Sequence, residues 1–108
     1  MKLWIDDVRP APKGYVECKT VRLAKEFCMQ HLFPGGKMII SEINLDHDAG
    51  DMAVHGGDYI ELLNWLEEKQ NTAGWKIFTV FRIHSMNPVG KENMEKIIKK
   101  NGWTYRCN

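Results

Sequence analysis

Three short apolar runs each give way to a cluster of polar residues, and this pattern leaves the chain few folds to choose from. Lys2, Leu3, Trp4 and Ile5 lead into Asp6-Asp7-Val8-Arg9-Pro10. Residues 38–45 lead into Asp46-His47-Asp48-Ala49-Gly50. Residues 77–83 lead into His84-Ser85-Met86-Asn87-Pro88. Short runs rich in β-branched and aromatic residues, bounded by turn formers, read as strands. If the three strands run parallel, their polar ends meet along one edge of one sheet. In open α/β sheets ligands bind at that carboxyl edge.

The segments between the runs read as helices. After Thr20, a plausible N-cap, Val21, Ala24, Phe27, Cys28 and His31 or Leu32 recur at helical spacing. Asp58 stands three residues before Glu61 as a capping box, and Tyr59, Leu62, Leu63 and Leu66 form an apolar stripe behind it. Asn87 is the expected cap of a third helix, with Pro88 at its first position and Met94, Ile97 and Ile98 on its buried face. Residues 15–18 and 103–107 read as weaker strands, and 46–57 as a long mobile loop over the sheet edge. Glu42 and Asn44 interrupt the middle strand, which predicts a partly exposed face there. Strands alternating with helices predict a single α/β domain over residues 1–108, a mostly parallel sheet covered on both faces.

Composition narrows the functional classes. With 108 residues and 44% hydrophobic content, the chain has enough apolar surface for a core without metal or disulfide staples. A net charge of +1 supplies no broad basic field, which argues against general nucleic-acid binding or sequence-specific DNA recognition. Cys18, Cys28 and Cys107 show no paired spacing, so free thiols and a cytoplasmic location are expected. No segment approaches the roughly 18 apolar residues of a membrane span.

The polar clusters carry the chemistry. Asp6 and Asp7 repel each other at a strand end, and a divalent cation relieves that conflict. In an extended segment Asp46 and Asp48 point the same way, with His47 turned elsewhere or over the loop. Three or four carboxylates converging without a cation would be costly. His84 and Ser85 precede a helix start, where free N–H groups attract anions, and Asn87 adds a side-chain amide. Gly90 is expected to let a ligand approach the backbone closely. Arg9 can reach a phosphate bidentately or pair with Asp7 as a loop cation. His55, on the expected lid, is a weaker candidate for ligand contact.

In their order and wording, Lys-Leu-Trp-Ile-Asp-Asp-Val-Arg-Pro-Ala-Pro, Asn-Leu-Asp-His-Asp-Ala-Gly and His-Ser-Met-Asn-Pro-Val-Gly-Lys-Glu-Asn-Met resemble the cyclic-phosphate-processing receiver-like domains. These are relatives of the receiver domains of two-component signalling. The resemblance runs from position 2 to about position 100. It implies a small three-layer flavodoxin-like or receiver-like fold. It implies Asp6 and Asp7 as a metal-binding pair, Asp46 as the central aspartate and Ser85 as a phosphoryl contact, and Asp6, Asp7 and Asp46 together are the expected holders of Mg²⁺ or Mn²⁺. Signalling receivers carry a lysine after their last strand, and none stands there in this chain; Arg9 or Lys91 are candidates to replace its charge.

The expected activity is a metal-dependent phosphoesterase acting on a cyclic phosphate, either a phosphorylated small molecule or an RNA end. Asp46, His84, Ser85, His47 and Asp48 are its candidate catalytic residues. Arg9, Asn87, Gly90 and Ser85 are its candidate phosphate contacts. The alternatives are a phosphoacceptor switch at Asp46 and a non-catalytic phosphate-binding domain.

Overall fold

The structure, a computed structural model, describes residues 1–107. The chain runs β1 (Lys2–Ile5), β2 (Tyr15–Cys18), α1 (Val21–Gln30), β3 (Leu32–Phe33), β4 (Lys37–Met38) and β5 (Glu42–Leu45). A 3₁₀ helix (Gly50–His55) follows, then α2 (Ile60–Ala73), β6 (Lys76–Ile77), β7 (Val80–Ile83), α3 (Pro88–Lys100) and β8 (Thr104–Tyr105). Five strands form a wholly parallel sheet in the order β2-β1-β5-β7-β8. A smaller sheet, β3-β4-β6, sits before it in the chain direction.

The two long apolar runs are therefore not single strands. Each breaks in the middle, giving β4 and β5 from one and β6 and β7 from the other. At the break the buried Thr79 hydroxyl donates to the Ile40 carbonyl at 2.7 Å, and the Val80 N–H reaches Ser41 at 2.9 Å. A side-chain bond thus replaces a ladder bond where the pairing shifts.

Register sets the site. Ile5 is paired with both Cys18 and Leu45, and Leu45 with Ile83. The next residues, Asp6, Asp46 and His84, therefore lie side by side. Their N–H groups continue the ladder, Asp6 to Cys18, Asp46 to Ile5 and His84 to Leu45. The expected convergence on one rim is present.

Alternation divides the sheet into two unlike faces. Leu3, Ile5, Ile43, Leu45, Phe81 and Ile83 are buried in one cluster with Val21, Ala24, Leu62, Leu63, Leu66, Met94 and Ile98 from the helices. The crossovers β2-α1-β5, β5-α2-β7 and β7-α3-β8 all step the same way along the sheet. With right-handed connections, all three helices fall on that one face, and α2 packs against both α1 and α3. The step from β1 to β2 goes the other way and carries no helix.

The receiver-like α/β arrangement and its parallel sheet are there. On the second face, however, side chains take the place of a helical layer among the described residues. Trp4, Glu42 and Asn44 are nonetheless buried, at 9%, 8% and 5% exposure, so the partly exposed face expected of Glu42 and Asn44 is absent. Burial without apolar cover requires hydrogen bonds. Glu42 accepts from the Tyr15 hydroxyl and, at 3.1 Å, from Arg82 Nε. Burial alone would raise its proton affinity, but those two partners outweigh it and hold the carboxyl below its ordinary value.

The segment 46–57 is more ordered than a loop. Tyr59 is fully buried; its N–H reaches the His47 carbonyl at 2.9 Å and its hydroxyl the Lys19 carbonyl at 2.7 Å. This pins the chain before α2, and Tyr59 itself occupies the cap position. Asp58 is consequently not a side-chain cap. Its Oδ1 instead accepts the Ala49 N–H at 3.0 Å and ties the segment back on itself.

Candidate active site

The rim holds two adjoining groups. The first is built on Asp6, Asp7 and Asp46, whose oxygens lie within 4.8 Å of one another. Asp6 is 1% exposed. Its Oδ1 accepts the N–H groups of Val8 and Arg9 at 2.8 and 3.0 Å. Its Oδ2 lies 2.9 Å from His84 Nε2. Burial would raise the Asp6 proton affinity, but the two backbone donors and then His84 overcome it, so the carboxyl stays below its ordinary value. Asp46 Oδ1 accepts the His47 N–H at 2.8 Å. Asp7 makes no hydrogen bond or ion pair among the described residues, which leaves its oxygens available.

Arg9 supplies the positive charge. Its Nε stands 3.4 Å from Asp6 Oδ2 and its Nη2 3.6 Å from Asp46 Oδ2, while Nη1 donates to the His84 carbonyl at 2.6 Å. The pairing with Asp7 that the sequence left open is absent; Arg9 pairs with Asp6 and Asp46 instead. One guanidinium among three carboxylates leaves the group net negative. The donor set is all oxygen, which suits a hard divalent cation. The space is close-fitted as well. Gly50 opens the 3₁₀ helix at φ +54, a backbone conformation that favours glycine, and a Cβ there would fall 2.7 Å from Asp7 Oδ2 and push that carboxylate aside.

The two histidines differ in what their nitrogens touch. His84 is held on every side: Nδ1 lies 2.7 Å from Asn44 Oδ1, Nε2 faces Asp6, and the ring stacks on Trp4 with centroids 3.8 Å apart and 5° between planes. Trp4 in turn donates its indole N–H to the Arg9 carbonyl at 3.0 Å. Nε2 and Oδ2 are too close for two facing lone pairs, so a proton lies between them. Burial pushes the imidazole below its ordinary value, while Asp6 pulls against it.

His47 is held on one side only. Its Nδ1 lies 2.8 Å from Asp48 Oδ1, and Nε2 has no hydrogen-bond partner among the described residues. The His47 contact, ahead of the Asn87 amide, holds the Asp48 carboxyl below its ordinary value. Asn87 Nδ2 reaches the same Asp48 oxygen at 3.4 Å. Asn87 is also the true cap of α3, its Oδ1 accepting from Gly90 at 2.9 Å, and Ser85 Oγ accepts the Asn87 N–H at 3.0 Å. Ser85 therefore keeps its hydroxyl proton for another partner, and Asn87 keeps one amide hydrogen.

The chain matches the family model for the cyclic-phosphate processing receiver domain over residues 1–100. That match spans nearly all of it. The chain belongs to this family. Comparison with curated proteins and with solved structures finds no match. As a cyclic-phosphate processing receiver domain, the molecule brings together on one rim every site residue expected from its sequence, Asp6, Asp7, Arg9, Asp46, His47, Asp48, His84, Ser85, Asn87 and Gly90. His55 stands apart, at the far end of the 3₁₀ helix.

The function expected of Gly90 needs correction. A Cβ there would lie 2.4 Å from the His47 ring, so the imidazole, not a ligand, fills the room beside this glycine. Gly90→Ala is accordingly expected to displace His47. Overpacking costs about 1–3 kcal/mol, whereas alanine regains at most about 1 kcal/mol of helix propensity. A net loss near 1 kcal/mol, seen as a melting point lower by about 4–8 °C, is the expected result. An unchanged melting point would contradict the packing described.

Two residues that orient the site escaped the sequence reading. Trp4 is simply part of the first apolar run, and Asn44 reads as an interruption of the second. The available signal was parity: Trp4 and Asp6, and likewise Asn44 and Asp46, are two apart and so share a face.

Proposed function

We propose that this domain hydrolyses a cyclic phosphodiester to a phosphomonoester with the help of a divalent cation. The observation that carries the reading is the convergence of Asp6, Asp7 and Asp46 within 4.8 Å, beside an imidazole with one nitrogen open. Mg²⁺ or Mn²⁺ held by those carboxylates would supply charge for the phosphoryl oxygens and acidify a bound water.

The protein's own groups divide the remaining work. Arg9, whose Nη1 and Nη2 each carry a second N–H beyond the contacts above, would bind a non-bridging phosphoryl oxygen. The Ser85 hydroxyl and the free Asn87 amide hydrogen offer further donors at the start of α3. His47, oriented by Asp48 through Nδ1, delivers a proton from Nε2 to the departing ring oxygen. Water adds its oxygen to phosphorus as one P–O ring bond breaks, the freed alkoxide takes the proton from Nε2, and the proton shed by the attacking water passes through solvent to restore Nε2. His84 cannot share this role, because both its nitrogens are engaged; it holds Asp6 in place.

The test is incubation with 2′,3′-cyclic nucleotides, RNA bearing a terminal cyclic phosphate, and other cyclic phosphates, with Mg²⁺ or Mn²⁺. Phosphorus NMR should reveal a monoester that forms with the metal and not with chelator. No product across the panel would overturn the reading. A phosphoryl adduct on Asp46 after acetyl phosphate, seen by intact mass, would instead mark a phosphoacceptor.

A further inference from the structure

The rim does not end at the carboxylates. The 3₁₀ helix starts against Asp7 at Gly50 and ends against the first turn of α1. There a Cβ on its cap, Gly56, would fall 3.0 Å from Val21 Cβ and 3.3 Å from the Arg22 backbone nitrogen. At about 2 Å of rise per residue, Gly50 and His55 stand about 10 Å apart. At that far end Arg22, Lys25, Val54, His55 and Gly56 line a hollow of about 290 Å³.

The charge of this hollow is of one sign. Neither Arg22 nor Lys25 has a carboxylate within 4.0 Å among the described residues, whereas Lys19, Lys96 and Lys100 each do. Lys25 Nζ instead lies over the Trp65 ring, 5.7 Å from its centroid. Arg22 Nη2 lies 3.4 Å from His55 Nδ1. A guanidinium only donates, so Nδ1 faces it with a lone pair and the imidazole proton sits on Nε2. Two cationic side chains and a histidine thus line one hollow, and neither cation is paired with a carboxylate among the described residues.

We infer that this hollow seats a second anionic group of the ligand, a phosphate or diphosphate, one 3₁₀ helix away from the carboxylate rim beside which the cyclic phosphate would sit. The inference rests on the reading above for the position of the cyclic phosphate; the hollow itself does not. It gives the site a substrate class: cyclic phosphates carrying a further phosphate, in preference to simple ones.

The test measures affinity, not turnover, by calorimetry with four probes. Adenosine 2′,3′-cyclic phosphate bearing a 5′-diphosphate is expected to bind at least tenfold tighter than the same compound with a 5′-hydroxyl. The doubly substituted Arg22→Gln, Lys25→Gln protein should reduce that ratio to near one. In the parent, backbone amides of Arg22, His55 and Gly56 should shift in NMR spectra with the 5′-diphosphate probes and not with the 5′-hydroxyl one. Adenosine 5′-diphosphate without the cyclic group separates the two readings. If it binds as tightly as the cyclic diphosphate, the hollow stands and the cyclic-phosphate seat fails. A short RNA ending in a 2′,3′-cyclic phosphate is the fourth probe; a gain there that the double substitution erases assigns the second anion to an RNA backbone. Equal affinity for the 5′-hydroxyl and 5′-diphosphate cyclic probes, a gain that survives the double substitution, or no binding by any probe overturns the inference.

Discussion

Asp46→Asn is expected to lower turnover of a cyclic phosphate by about a hundredfold or more while leaving the fold intact. The amide has the shape of the carboxylate, and its oxygen can still accept the His47 N–H now bound at 2.8 Å. What it lacks is the charge that faces Arg9 Nη2 at 3.6 Å and completes the three-carboxylate group. Affinity for Mg²⁺ or Mn²⁺, read by calorimetry, should fall with the rate. A variant that turns over and binds the ion like the parent would remove Asp46 from the chemistry and leave the proposed hydrolysis without its centre.

Asp6→Ala and Asp7→Ala are expected to have opposite consequences for stability, although the residues are adjacent and alike. Asp6 is buried and accepts from two backbone N–H groups while His84 and Arg9 press on its other oxygen. Truncation strands those donors, and breaking a buried pair of this kind costs about 3–5 kcal/mol. Asp7 carries no such partners and stands among like charges. Its removal should change stability by less than about 0.5 kcal/mol or raise it. Urea unfolding, with midpoints compared at constant slope, distinguishes the two. The Asp6 effect should also depend on pH. Its carboxyl is held below the ordinary value of 3.8, so the stabilisation is present above that pH and fades as pH falls through the lower folded value. The gap between parent and Asp6→Ala should therefore narrow in acid. Equal midpoints for the two variants near neutral pH would mean that the hydrogen bonds on Asp6 do not carry the stability assigned to them.

The rim was readable because its cause is local. An apolar run that ends in Asp-Asp, Asp-His-Asp or His-Ser-Met-Asn marks a strand end wherever the strand is placed, and parallel pairing then brings the ends together. The caps at Thr20 and Asn87 were readable for the same reason, since each bond spans three residues. Asp58 had the same local signature and took another partner, because burial of Tyr59 decided where the helix begins. Glu42 and Asn44 misled for a related reason. Polar residues in a strand ordinarily point to water, but here Tyr15, Arg82 and His84, distant in sequence, satisfy them without it.

Sequence alone determined the strand–helix alternation, the residues at the strand ends and the excess of carboxylate there, because each depends on periodicity and near neighbours. Tertiary structure alone decided which nitrogen of which histidine stays open, that Gly90 makes room for His47, and that Arg9 lies across Asp6 and Asp46. Those outcomes depend on register between strands some forty residues apart and on helices confined to one face. No local pattern carries either, since both follow from where the burial of the whole chain places its parts.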